Sequence, residues 1–355
     1  MNSDKNLPLV TPDSSVRAAV QAIDEHGQGI VLVVDGQGQL LGTVTDGDVR
    51  RAMLAGVALD AQVAVLLERQ GEQEHDRPYP LTAPQSTPAD ELVATMRRYK
   101  VRQIPLIDDG GAPVALALLD DLVSLEERSV RAVVMAGGYG TRLGPLTADT
   151  PKPMLPVGDR PLLEQIVGQL RDAGIHRVQL TTHYRAGEIA QHFGDGSEFG
   201  VQISYVDEDT PLGTAGSLAL IEPGDEPVLV MNGDIVTRID FAAMHSFHEE
   251  HSADMTVALT VYETKVAYGV AELDGVLIRG LREKPLVRAF ANAGVYLLSP
   301  DVCGLVPRGE RYDMTSLIER LIADGRRVVG FPLREYWLDI GDLETYEQAQ
   351  RDAGR

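Results

Sequence analysis

Three stretches of the chain carry residue types suited to handling a polyphosphate. The first is Ala136-Gly137-Gly138-Tyr139-Gly140-Thr141-Arg142-Leu143, directly after the short apolar strand Arg131-Ala132-Val133-Val134-Met135. Glycines let a backbone approach a phosphate and point N–H groups at it. The second is Thr150-Pro151-Lys152-Pro153-Met154-Leu155-Pro156. Prolines on both sides of Lys152 prevent a helix and hold the lysine at a set distance from the glycine loop. The third is a pair of aspartates, one in Asn232-Gly233-Asp234 and one in Trp337-Leu338-Asp339-Ile340-Gly341. Magnesium takes a few carboxylates and fills its shell with phosphate oxygens and water, which such a pair can supply. Each aspartate alone could equally be a helix N-cap. Asp342, after Gly341, is the better cap and leaves Asp339 for metal.

Two familiar glycine-loop chemistries fail on these residues. A P-loop ends in Gly-Lys-Ser/Thr, which is missing. The dinucleotide fingerprint needs a third glycine where Leu143 stands.

The elements that position these residues alternate between strand and helix from Val130 onward. Leu162, Leu163, Ile166, Val167 and Leu170 fall at helical spacing, with Gly174 as the stop. Val178 to Thr182, Val201 to Val206 and Val228 to Met231 read as strands. Val257 to Val261 and Val270 to Ile278, broken by Asp274-Gly275, read as an antiparallel insertion. The fold class expected is α/β, with a Rossmann-like mixed sheet preceded by an α+β domain. Ligands on such sheets bind beyond the carboxyl ends of the strands, where every motif above falls.

The preceding region is an internal repeat. Asp35 and Asp108, and Asp48 and Asp121, share one offset (108 − 35 = 121 − 48 = 73). Ile23 and Met96 keep it as well. Two copies are too few for a solenoid and suit a pair packed into one domain. The run Gly42-Thr43-Val44-Thr45-Asp46-Gly47-Asp48-Val49-Arg50-Arg51 resembles a CBS module. The resemblance implies that Thr45 and Asp48 meet the phosphate and ribose of an adenine or guanine nucleotide. In the second copy Leu118 replaces the threonine while Asp121 remains. Many CBS pairs serve only packing or dimerisation, so binding and packing both stay open. The expected division is a CBS pair over 1–126 (about 7–66 and 76–126), a linker at Glu126-Glu127-Arg128-Ser129, and a catalytic domain over 130–355.

From Gly137 through Pro156 the chain resembles the sugar-phosphate nucleotidyltransferases of sugar activation, and the resemblance extends from Arg131 to Gln350. It implies a transfer of a nucleoside monophosphate to a sugar 1-phosphate with release of pyrophosphate. Ala136, Gly137, Gly138, Gly140 and Thr141 would cradle the nucleotide. Arg142 and Lys152 would clamp the triphosphate. Asp234 and Asp339 would hold Mg2+. Gly213 and Thr214, in Pro211-Leu212-Gly213-Thr214-Ala215-Gly216, would hold base and ribose. Glu283 and Asn292 would bind the sugar, and Lys284 its phosphate. His183 and Tyr184 line the nucleotide pocket in one reading and are ordinary loop residues in the other. The motifs stand nearest to guanylyltransferases acting on mannose-like, heptose or aminosugar 1-phosphates. A CBS pair ahead of the transferase is similar to glucosamine-1-phosphate guanylyltransferases of bacterial surface-sugar pathways. GTP is therefore the expected donor, with UTP, CTP or dTTP as the alternatives. An adenylate-sensing protein with an inactive transferase fold is the alternative of another class. The presence of Arg142, Lys152, Asp234, Lys284 and Asp339 together argues against it.

Bulk properties agree. The net charge of −21 repels nucleic acid and free nucleotides alike. A nucleotide enzyme with that charge has to gather its few cations in one cleft and use a metal. The single cysteine, Cys303, allows no internal disulfide and fits the cytoplasm as a small apolar filler. No apolar run is long enough to span a bilayer, and Met1-Asn2-Ser3-Asp4-Lys5 lacks the features of a secretory signal. Association of CBS pairs face to face predicts a homo-oligomer.

Overall fold

The structure, a computed structural model, describes residues 7–71, 78–122, 130–138, 140–208 and 210–353. Met1 to Lys5, Tyr139 and the expected linker at 126–129 lie outside these residues. The chain forms two compact units. One comprises Met1–Arg128 with Ala242–Ser252, the other Ser129–Phe241 with Ala253–Arg355.

In the first unit the repeat is visible as two copies of one pattern. The first copy runs β1 (Leu9–Val10), α1 (Val16–His26), β2 (Ile30–Val34), β3 (Leu40–Thr45) and α2 (Asp46–Leu54), followed by α3 (Ala64–Gly71). The second runs β4 (Ala83–Pro84), α4 (Ala89–Tyr99), β5 (Gln103–Ile107), β6 (Pro113–Leu118) and α5 (Leu119–Leu122). In each, the short first strand pairs parallel with the second and the third pairs antiparallel. Ile23 and Met96, the equivalent helical positions, are both buried, each in its own apolar cluster. Asp35 and Asp108 explain their shared place. Each carboxylate accepts backbone N–H groups two and four residues on, from Gln37 and Gln39 and from Gly110 and Ala112, closing the turn between strands.

The second unit is built on β7 (Arg131–Met135), the short β8 (Pro156–Val157) and β9 (Arg160–Pro161), α6 (Leu162–Asp172), β10 (Arg177–Thr182), α7 (Ala186–Phe193), β11 (Gln202–Asp207) and α8 (Gly213–Gly216). The chain continues through β12 (Val228–Asn232), β13 (Ile235–Thr237), α9 (Phe241–Glu250, mostly in the first unit), β14 (Met255–Lys265), β15 (Val270–Asp274), β16 (Leu277–Arg282) and β17 (Leu286–Leu298). It closes with α10 (Met314–Ala323), β18 (Val328–Pro332), β19 (Trp337–Asp339) and α11 (Leu343–Ala353). The central sheet has the order β11-β10-β7-β12-β17-β14-β18. Its first four strands are mutually parallel, and β17 runs antiparallel to both neighbours. Val133, Val230, Met255 and Tyr296 on the sheet pack with Leu317 and Leu321 of α10 in one buried cluster.

One expectation changes. Val257 to Val261 is no separate insertion: it lies within β14, whose buried half belongs to the central sheet and whose exposed half continues as a ribbon with β17. Of the expected insertion, only β15 and β16 pair in a sheet of their own. Ala242–Ser252, the greater part of α9, clusters by contacts with the first unit.

Candidate active site

The parallel strands β7, β10, β11 and β12 end along one edge, so the segments leaving them converge there. After β7, Ala136 extends the sheet by donating its N–H to the Thr181 carbonyl at 2.9 Å. That amide is therefore spent on the fold. A Cβ at Gly137 would stand 3.3 Å from the His183 backbone N, while Gly138 borders open space. Gly140 has φ +64°, and a Cβ there would meet Thr147 Cγ2 at 2.8 Å and Lys152 Cβ at 3.0 Å. Only glycine fits so close an approach. Thr147, buried, fastens the loop by donating to the Gly140 carbonyl at 2.9 Å. Leu143, where the dinucleotide fingerprint would have glycine, is buried and anchors the turn Thr141–Thr147. Thr141 and Arg142 beside it are exposed.

Lys152 is buried, yet its Nζ lies 2.5 Å from Asp234 Oδ2. A buried ammonium requires such a partner. Asp234 follows β12, and Gly233 before it is held by its N–H to the Met135 carbonyl at 2.9 Å. A Cβ at Gly233 would come 2.7 Å from that same oxygen.

Asp339 reaches the site through β19, which pairs antiparallel with β13. The Ile340 N–H donates to the Asp234 carbonyl at 3.0 Å, and the Trp337 indole N–H to the Ala293 carbonyl at 2.8 Å. Burial raises the Asp339 carboxyl above its ordinary value, and the Asp234 charge raises it further; Lys152 and Arg142 oppose the shift. Arg142 stands beside this pair, its Nη1 being 3.4 Å from where a Cβ on Gly341 would lie. The structure therefore gathers Arg142, Lys152, Asp234 and Asp339. Asp342 takes the cap position of α11, accepting from the Thr345 N–H at 2.9 Å.

Two carboxylates forced together fit a divalent cation, which relieves their repulsion. Among the described residues no cluster of three or more His, Cys, Asp or Glu side chains suited to a metal exists.

The Gly213–Thr214 loop is clamped to the start of α10. A Cβ on Gly213 would fall 2.5 Å from Asp313 Oδ1 and 2.8 Å from the Tyr312 carbonyl. Asp313 accepts from the Thr214 N–H, while the Thr214 hydroxyl accepts from the Met314 N–H at 2.8 Å. That hydroxyl is thus engaged by the helix start. His183 Nδ1 lies 2.6 Å from the Glu208 carbonyl, and Glu208 in turn accepts from the Leu212 N–H at 3.0 Å. Thr147, Glu208 and Asp313 escaped the sequence reading, and no local motif marks them.

On the sugar side, Asn292 Oδ1 accepts from the Gly294 N–H at 2.9 Å. Glu283 and Lys284 are exposed and pair with each other at 3.9 Å.

In the first unit Thr45 and Asp48 form a capping box at the start of α2. Burial alone would raise the Asp48 carboxyl, but Arg51 and hydrogen bonds from Thr45 hold it below the usual carboxylate range. Arg51 bridges Asp48 at 2.5 Å and Glu250 at 2.6 Å. Asp48, Arg51, Leu66, Arg69 and Gln70 line a small cavity. Asp121 is exposed on α5.

The nucleotidyl transferase family model matches residues 131–355. The chain belongs to this family. CBS domain models match residues 3–55 and 75–128. Mannose-1-phosphate guanylyltransferase of Mycobacterium tuberculosis is 35% identical over 234 residues, which cover 64% of this chain and 65% of that protein. The catalytic subunit beta of mannose-1-phosphate guanylyltransferase from Drosophila pseudoobscura is 34% identical over 230 residues, covering 61% of this chain and 60% of that protein. In both cases the match spans less than two thirds of the relative. A structure assigned as a glucose-1-phosphate thymidylyltransferase from Bacillus anthracis superposes with a TM-score of 0.52 at 26% identity, over 63% of this chain and 95% of that one. Nucleotidyltransferases of this family use a divalent metal. Among the described residues no helix is long and apolar enough to cross a membrane.

Proposed function

We propose that the protein transfers GMP from GTP to a sugar 1-phosphate of the mannose type, giving a GDP-sugar and pyrophosphate. The observation that carries this reading is the convergence of Arg142, Lys152, Asp234 and Asp339 at the carboxyl ends of the parallel strands. Guanine as the base and a mannose-like sugar rest on the two guanylyltransferase relatives.

In this mechanism a phosphate oxygen of the sugar 1-phosphate attacks the α-phosphorus of the triphosphate in line. The new P–O bond forms as the bond to the β-phosphate oxygen breaks, and pyrophosphate leaves with the electron pair. The attacking oxygen is already anionic at neutral pH, so no general base is needed. The chain contributes position and charge. Lys152 and Arg142 offset the charge of the departing pyrophosphate. Gly138, with open space beside it, lets the triphosphate approach the backbone. Glu283, Lys284 and Asn292 take the sugar phosphate. Asp234 and Asp339 would hold Mg2+, which supplies further charge neutralisation. In the CBS pair, a purine nucleotide at Thr45 and Asp48 adjusts activity; Asp121 of the second copy, exposed and without the companion threonine, makes the weaker site. The expected setting is the cytoplasm, with homo-oligomers formed in part through the CBS pair.

The donor is tested by direct competition. GTP, dTTP, UTP and CTP are offered together with mannose 1-phosphate, and the nucleotide sugars formed are separated and weighed. GDP-sugar as the main product supports the assignment. A dTDP-sugar would replace guanine with thymine, the reading that the thymidylyltransferase neighbour favours.

A further inference from the structure

The β15–β16 hairpin has two unlike faces. Its register pairs Ala271 with Leu281 and, past a bulge, Leu273 with Ile278. Side chains alternate across a strand, so these four share one face, and that face is wholly apolar. The opposite face carries Glu272 and Arg282, which pair at 3.0 Å. The apolar face is bare: Leu273, Ile278 and Leu281 are 66%, 68% and 68% exposed. Eleven of the nineteen exposed large hydrophobic residues among the described residues fall between 261 and 290, so the exposure is concentrated here. A two-stranded hairpin is at best marginally stable in water and needs its apolar face covered.

We propose that this face is an interface with a second copy of the same chain, joined about a two-fold axis. Two observations select that occupant. The first is size. Leu273, Ile278 and Leu281 lie 66–68% exposed on one face, with Val276, 96% exposed, at the tip, an apolar surface of the breadth that a protein partner rather than a small molecule covers. The second is charge. The whole chain carries −21, so two copies repel over most of their surface. The arm does not share that charge: Glu263 pairs with Arg288, Glu272 with Arg282, Asp274 with Arg279, and Glu283 with Lys284. A neutral, apolar patch lets like-charged copies meet, whereas a cationic partner would be drawn to the acidic remainder. The hairpin leads directly into Glu283 and Lys284, so pairing would steady the segment expected to bind the sugar phosphate. The interface itself does not depend on the assigned reaction.

Sedimentation of the full chain tests the proposal. Leu281→Glu and Leu281→Lys should each lower the weight-average mass about twofold at unchanged concentration, because one isologous contact is lost. Mixing the two variants should restore it, since opposite charges then face each other across the axis. The same pair of substitutions at Ile278 repeats the test at a second exposed position, and melting curves confirm that each variant is folded. A folded variant that keeps the wild-type mass would overturn the proposal. So would a wild-type protein monomeric at every concentration, or a mixture that stays dissociated.

Discussion

Lys152 and Asp234, 82 residues apart, meet at 2.5 Å. The lysine is buried, and the aspartate side chain is 28% exposed. The pair links the proline-flanked loop to the end of β12, so the group proposed to neutralise phosphate and the group proposed to bind metal share one contact. Lys152→Ala and Asp234→Asn should each lower kcat by roughly a hundredfold or more. Their combination should cost far less than the product of the two, because groups acting as a unit are not additive. Steady-state kinetics on the four proteins of the cycle measures this. Independent, multiplicative losses would separate the two roles.

Arg142 is exposed and packs beside Gly341 and Asp339. Its replacement by alanine should leave the melting temperature nearly unchanged and cut turnover by about a hundredfold, the cost of one charge contact to the transition state. Intact turnover would remove Arg142 from the mechanism.

Gly140 tests the loop itself. Alanine there must adopt φ +64° with its Cβ against Thr147 and Lys152. The expected loss is about 1–3 kcal/mol of stability, measured by denaturant unfolding. An unchanged midpoint would mean that the loop relaxes freely.

Asp48 carries a pH signature. Its carboxyl is held below the ordinary aspartate range, so its stabilising contribution is full above that range. It disappears as pH falls through the lowered value. Melting temperatures of wild type and Asp48→Asn should therefore differ most near neutrality and converge on strong acidification. A constant gap would contradict the paired, charged Asp48. Titration calorimetry of AMP, ADP, ATP, GDP and GTP should also find a site that Thr45→Ala or Asp48→Asn weakens and Lys152→Ala leaves in place. Its absence would leave the CBS pair a packing module.

Burial pushes the Cys303 thiol up to about 11. It should stay unreactive toward a thiol reagent at pH 8 in the folded protein and react once the chain is unfolded, as a core filler does.

Much of this arrangement is legible in the sequence because its determinants are local. The common offset of the repeat recovers α1 and α4, β2 and β5, and β3 and β6. The glycine loop and the prolines around Lys152 announce themselves through backbone constraints. Other features are long-range and leave no local mark. Asp339 reaches Asp234 only because β19 pairs with β13. Asp313 holds Gly213 and Thr214 across 99 residues. In β14 apolar residues run on to Val261 and Tyr262, yet only Met255 to Ala258 is buried, since the sheet ends there and the ribbon continues. Nor does any pattern in α9 signal that Ala242–Ser252 clusters with the first unit.

The central claim is nucleotidyl transfer to a sugar 1-phosphate, and pyrophosphate release measures it most directly. The full-length protein is mixed with GTP, mannose 1-phosphate and Mg2+, and pyrophosphate is followed over time. Release should require both substrates, stop with EDTA and fall about a hundredfold in Lys152→Ala. No release with any triphosphate and any hexose, aminohexose or heptose 1-phosphate, with purine nucleotides present to fill the CBS pair, would contradict it.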